Sequence, residues 1–244
     1  MIRSYFSASL LSLALAASSQ AAVIQINVGA DGTPTTTAAP INLVGTQDSY
    51  LDNGQSGGPL SIDNLQDTEG NPTGIGVVFD GFNGRNSAGL VGTGDAAIFG
   101  AQLDDSLYGN AGNFGGGVAP NPTVTFSGLD ANATYDIVFS ASRNNVGDTR
   151  EGTYTFTGGG TPVVTLFDAS NNSTRVGTAS GLTADANGQL LLSMTVGPNN
   201  NNGTTRFFYL GALQITETVN APVPEPGSFA LASLGGLLML KRRR

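Results

Sequence analysis

Residues 134–141 read Thr-Tyr-Asp-Ile-Val-Phe-Ser-Ala. Similar runs return about every dozen residues between Gly, Asn and Asp, and no other feature limits the fold so strongly. The alternation puts Tyr135, Ile137 and Phe139 on one face of a strand. The same pattern predicts strands over 23–28, 59–65, 76–79, 123–126, 153–157, 163–167, 175–178, 189–196 and 207–215. Asp185-Ala186-Asn187-Gly188 is a hairpin turn, because Asn-Gly readily takes positive φ. Polar, Gly-rich loops are expected over 29–40, 45–58 and 81–94. Residues 95–117 are the least regular stretch, holding either one short helix near 101–107 or loop only. Gly, Asn, Thr and Ser are abundant while Lys and Glu are scarce, which disfavours helices. The fold expected is all-β, an antiparallel β-sandwich with one substantial core.

Both ends read as address labels, to be set aside from the fold. Arg3 precedes the apolar run 10–17, and Ser19-Gln20-Ala21 places small residues where a signal peptidase reads. Residues 1–21 are thus expected to be a signal peptide and its helix, cut after Ala21 or next best after Ala22. The partners implied are the Sec translocon and signal peptidase. At the other end, Phe229 to Leu240 is apolar or small. Those twelve residues rise about 18 Å as a helix, short of a hydrocarbon core of about 30 Å. Lys241, Arg242, Arg243 and Arg244 would hold that end on the cytoplasmic side. Pro224 and Pro226 break regular structure ahead of it.

The order Pro224-Glu225-Pro226, short apolar helix and basic end resembles the PEP-CTERM sorting signal of Gram-negative bacteria. The resemblance implies that an exosortase, a membrane transpeptidase, cleaves near that motif. It also implies association with exopolysaccharide or biofilm matrix, after transient anchoring in the inner membrane. The domain division expected is 1–21 signal peptide, 22–220 sandwich and 221–244 sorting signal. The body is similar to secreted jelly-roll, galactose-binding-like domains. That likeness rests on its opening Ile26-Asn27-Val28-Gly29, on Leu65-Gln66-Asp67-Thr68-Glu69-Gly70 and on Phe126-Ser127-Gly128-Leu129-Asp130. Arg143 and Arg150 before Tyr154 and the closing Leu210-Gly211-Ala212-Leu213-Gln214-Ile215 complete it.

Charge and missing residue types narrow the function. The body has five arginines, no lysine and every carboxylate except Glu225, which leaves seventeen acids against five bases. Nucleic acid and anionic membranes are excluded as partners on that balance. An acidic surface suits solubility, cations or neutral glycans. The chain has no His and no Cys. Ser-His-Asp and Cys-His nucleophile pairs, the common zinc sites and disulfides are therefore all excluded. A glycosidase needs only two carboxylates. Asp104 and Asp105 are the adjacent pair, yet neighbours on a strand point to opposite faces.

Three groups of candidate site residues remain. Arg143 and Arg150 bracket the loop that starts with Asn144 and Asn145. Two readings stand for them: a glycan-contacting rim, or arginines paired with a nearby acid such as Asp148 or Glu151. Structural calcium is the cofactor that oxygen-rich loops could take. Its candidate ligands are Asp63, Asp67 and Glu69, or Asp168 with Asn171 and Asn172, against a turn-capping role for Asp67 and Asp168. Tyr50, Tyr108 and Phe114 are the loop aromatics on which a sugar could stack. The function expected is a non-catalytic, exported surface or matrix protein, with a glycan as possible ligand. The alternatives are a carbohydrate hydrolase with paired acids and a calcium-stabilised adhesion module.

Overall fold

The structure is a computed structural model and describes residues 22–29, 41–45 and 59–219. The expected signal helix, the Pro-Glu-Pro motif, the C-terminal apolar helix with its basic end, and Tyr50 lie outside the described residues. Among the described residues no helix is long and apolar enough to cross a membrane.

Two large sheets carry the body. The first has the order β12 (Gly177–Leu182), β9 (Ala133–Ser140), β15 (Ala212–Val219), β1 (Val23–Gly29), β2 (Asn42–Gly45). The second runs β11 (Val163–Asp168), β10 (Glu151–Thr157), β13 (Leu190–Val196), β8 (Thr123–Ser127), β4 (Gly76–Asp80), β3 (Leu60–Ile62). Their inner faces meet as a sandwich, and the alternation of the sequence is what makes this possible. On β9, Tyr135, Ile137 and Phe139 are all buried, as are Tyr154 and Phe156 on β10 and Leu190, Leu192 and Met194 on β13. Phe139 joins the sheets. Its ring centroid lies 4.4 Å from Tyr154, 5.9 Å from Phe156 and 5.6 Å from Phe167. The body is therefore an all-β sandwich, with one departure from the antiparallel expectation. β1 and β2 pair in parallel, from Ile26↔Asn42 to Gly29↔Gly45. The twelve positions between Gly29 and Asn42 meet the dozen or so residues a parallel return requires.

A third, smaller sheet departs from the expected two-sheet sandwich. It contains β14 (Phe207–Leu210), β6 (Ser106–Phe114) and β5 (Gly84–Asn86), with β7 (Gly117–Ala119) on β6. β6 occupies the stretch expected to be helix or loop. Two 3₁₀ segments, Gly94–Ile98 and Gly100–Leu103, precede it. The strand leaves no alternation in the sequence because Ser106 to Asn110 are all buried. With both faces covered, no polar residue marks a solvent side and the period of two disappears. β5 likewise falls within the expected 81–94 loop.

The apolar run 207–215 is two strands, not one. β14 pairs with β6, and β15 pairs with β9, so the chain changes sheets at Gly211. Gly211 donates to the Ser140 carbonyl at 3.0 Å and accepts from the Val28 amide at 2.8 Å. A Cβ there would stand 2.9 Å from the Asp105 carbonyl oxygen and 3.2 Å from that of Ser140. Both neighbours are backbone, so neither can swing aside. Gly211→Ala should cost about 1–3 kcal/mol of stability, read as a lowered midpoint in thermal or urea denaturation. An unchanged midpoint would contradict this account of the crossover.

Candidate functional site

The small sheet builds a cleft of about 270 Å³. Its floor and one wall are aromatic. Tyr209 on β14 and Gly84 on β5 both stand opposite Tyr108 on β6. Gly84 has no side chain to obstruct the Tyr108 ring: a Cβ would lie 2.7 Å from that hydroxyl. Phe207 is two residues before Tyr209 and so shares its face. Phe114, at the end of β6, closes the group. Tyr108 contacts Phe207 edge-on at 5.2 Å and Phe114 at 6.1 Å. Phe114 and Phe207 meet nearly perpendicular, 4.9 Å apart at 80°. Tyr108 and Tyr209 are buried, whereas Phe207 is half-buried and Phe114 is 41% exposed. The two phenylalanines thus form an aromatic corner open to solvent.

Arginines supply the other wall. Arg85, Arg143 and Arg150 all line the cleft. Arg150 is locked in place. Its Nε donates to Asp148 Oδ1 at 2.8 Å, and its Nη1 donates to the Tyr209 hydroxyl. Its guanidinium stands 5.5 Å from the Phe207 ring centroid and 5.8 Å from that of Tyr209. The Arg150 amide donates to Asp168 Oδ1 and to Ser170 Oγ, both at 2.9 Å. Burial opposes the Arg150 charge, but the Asp148 and Tyr209 hydrogen bonds outweigh it and raise the pKa. Asp148 is held below the usual carboxylate range, chiefly by the Arg150 hydrogen bond and against partial burial, with Asn202 adding to it. Burial pushes the Tyr209 phenol up, and the Arg150 charge counters part of that rise.

Arg143 differs. Its backbone is pinned: its amide donates to Ala169 O at 2.9 Å, and its carbonyl accepts from the Asn171 amide at 2.9 Å. Its side chain makes one long contact, Nη1 to Asn144 O at 3.4 Å. The two arginines therefore part company. Arg150 follows the ion-pair reading, with Asp148 and not Glu151 as its acid, while also lining the cleft. Arg143 lines the cleft and, among the described residues, has no acid as partner.

Asn144 and Asn145 do not line the cleft. The Asn144 amide donates to Ala88 O at 2.7 Å, and its Oδ1 accepts from the Asn145 amide at 2.7 Å. Asn145 takes φ 57°, so the pair makes a turn.

Of the calcium candidates, Asp67 opens a turn and Asp168 ends β11. Asp67 Oδ1 accepts from the Glu69 and Asn71 amides at 2.9 and 2.8 Å, and Asn71 Nδ2 reaches Oδ2 at 3.0 Å. Those bonds, the Asn71 side chain first, lower the Asp67 pKa. Asp168 Oδ1 is taken by the Arg150 and Ser170 amides, and its Oδ2 lies 3.9 Å from Arg175. Asn172 is buried, its amide nitrogen donating to Ser140 Oγ, Ala141 O and Arg175 O. Asp63 and Glu69 are exposed. Among the described residues no three carboxylates gather where they could hold a metal ion.

Sequence reasoning pairs Arg143 with Arg150 and names Tyr108 and Phe114, but does not join the aromatics to the arginines. It misses Phe207, Tyr209 and Arg85. Phe207 and Tyr209 fall within one long expected strand, although their spacing of two signals a shared face. Arg85 is one of only five body cations, and that rarity is the usable signal.

No family model matches the chain, and no curated protein matches it. Among solved structures, the ANX2 ectodomain from Arabidopsis thaliana is 12% identical, over 83% of this chain and 52% of that one, with a TM-score of 0.43. The ANXUR2 extracellular domain from the same plant is 13% identical, over 68% and 55%, with a TM-score of 0.35. An exo-β-1,3-galactanase from Phanerochaete chrysosporium is 15% identical, over 65% and 33%, with a TM-score of 0.26. The chain spans about half the length of the ANX2 ectodomain it matches. At these scores the likeness reaches no site or ligand.

The depressed Asp148 pKa sets a pH dependence. A carboxylate whose folded pKa lies below its unfolded value of about 3.9 stabilises the fold fully above that value. It loses the contribution as pH falls through the folded pKa. Thermal melts from neutral pH down to about pH 2 should show Asp148→Asn less stable than wild type near pH 7. The gap should narrow below about pH 4. Parallel curves across the range would contradict the Asp148–Arg150 assignment.

Proposed function

We propose that the chain is an exported, exosortase-processed protein of the cell surface or exopolysaccharide matrix, and that its sandwich binds a glycan without turning it over. The observation that carries the binding part is the open corner of Phe114 and Phe207 beside Arg143. Half-exposed aromatic faces accept the C–H faces of a sugar, and nearby guanidinium donors hydrogen-bond to its oxygens. The non-catalytic part draws on the cleft lining, which among the described residues includes no carboxylate. Glycoside hydrolysis needs a pair of carboxyl groups roughly 5–10 Å apart across the bond being cut. Asp148 is close by, but Arg150 and Asn202 hold it. Export and processing rest on the residues at the two ends. Arg3 with the apolar run 10–17 leads the chain, and Pro224-Glu225-Pro226 with the basic end closes it.

Passing the purified protein over immobilised polysaccharides tests the binding. The wild type should be retained on at least one polysaccharide, and Phe114→Ala should weaken retention about tenfold, the equivalent of 1.4 kcal/mol. Phe114 is exposed enough that its loss should leave the melting temperature nearly unchanged. Retention on no polysaccharide would overturn the reading, and release of reducing ends would replace it with the hydrolase.

Processing has its own test. Intact-mass analysis of the protein from the cell envelope should show a start at Ala22 or Val23 and an end near Pro224 to Pro226. Replacing Pro224, Glu225 and Pro226 with Ala should leave an uncut C-terminus. Mature protein with both ends intact would contradict export by this route.

A further inference from the structure

The glycan reading leaves the class of sugar open, and the net charge of the body points to a neutral one. The cleft differs from the body as a whole. Three of the five body arginines line it, and among the described residues its lining includes no acid. We propose that the cleft selects carboxylate-bearing sugars, with Arg143 receiving the carboxylate while Phe114 and Phe207 hold the sugar ring; the inference rests on the glycan reading above.

The three guanidinium groups differ in how far they are committed. Arg150 is spent on Asp148 and Tyr209. Arg85 has interactions of its own. Arg143 has only the 3.4 Å contact to the next carbonyl, and among the described residues no carboxylate pairs with it. Its backbone is nevertheless fixed on both sides, in a bridge to Ser170. A planar fork of donors on a fixed backbone, with no acid partner among the described residues, suits bidentate capture of a carboxylate. The charge also reaches into the cleft. Although burial pushes the Tyr209 phenol up, Arg143 is among the charges that pull it back.

Size limits the occupant. A cleft of about 270 Å³ is smaller than the roughly 300–1,000 Å³ that holds a drug-sized ligand. It suits a single sugar unit, with the rest of the polymer running over the rim. Long-range repulsion by the acidic body makes the local contact decisive. A polyanion gains nothing on approach and is held only where the fork meets its carboxylate.

Calorimetric titration tests this with short glucuronic and galacturonic acid oligosaccharides and with the same molecules after carboxyl reduction. Sodium acetate and sodium sulfate serve as free anions. The wild type should bind at least one acidic oligosaccharide at least tenfold more tightly than its reduced form, and bind the free anions far more weakly. Arg143→Gln should bring the acidic and reduced forms within about twofold of each other, while affinity for the reduced form is kept. Arg143→Lys, which keeps the charge and loses the fork, should fall between. Equal affinity of the wild type for acidic and reduced forms would overturn the proposal and leave sugar binding intact. Binding of neither form would overturn the proposal, while the glycan reading falls only if the protein is also retained on no polysaccharide. Tight binding of acetate or sulfate alone would show a simple anion site and overturn it as well.

Discussion

The Tyr154 hydroxyl is the point on which the site depends. Tyr154 is wholly buried and packed 4.4 Å from Phe139, where the two large sheets meet. No water reaches that hydroxyl, and an unpaired buried O–H is costly. It donates to the backbone carbonyl of Tyr209. The same Tyr209 accepts from Arg150 through its own hydroxyl, and Arg150 is held by Asp148. A continuous chain of contacts thus runs from the densest part of the core to the wall of the cleft. A chain without cysteine positions its site through packing and hydrogen bonds alone.

The fold is legible where a strand has one wet and one dry face. Residues 133–140 and 190–196 declare themselves because exposed and buried side chains alternate. The signal fails where both faces are covered. β6 carries the cleft, yet Leu107, Tyr108 and Asn110 are all buried, and Asn110 satisfies its amide on Gly112 and Gly117 instead of water. It also fails at Gly211, where an unbroken apolar run conceals a change of sheet that only the neighbouring backbone reveals.

The site is legible in part for a different reason. Arg143 and Arg150 attract notice because cations are rare in this body. Their separate roles do not follow from rarity, since both occupy the same loop and only three-dimensional neighbours tell them apart. The pairing of Tyr108 with Tyr209 joins strands about a hundred residues apart, which no local pattern encodes. Overall and local charge differ: an excess of acid in the body argues for neutral ligands, whereas three of its five arginines line one cleft.

The chain is, on this account, a binder whose selectivity comes from a small cationic, aromatic cleft on an otherwise acidic sandwich. The most direct measurement of that claim is a nuclear magnetic resonance titration of isotopically labelled protein with an acidic oligosaccharide. Resonances of Arg143, Phe114 and Phe207 should move together and saturate at one equivalent, while those on the exposed side of β11, such as Val164 and Leu166, stay still. Shifts centred on β11, or spread evenly over the surface, would contradict it.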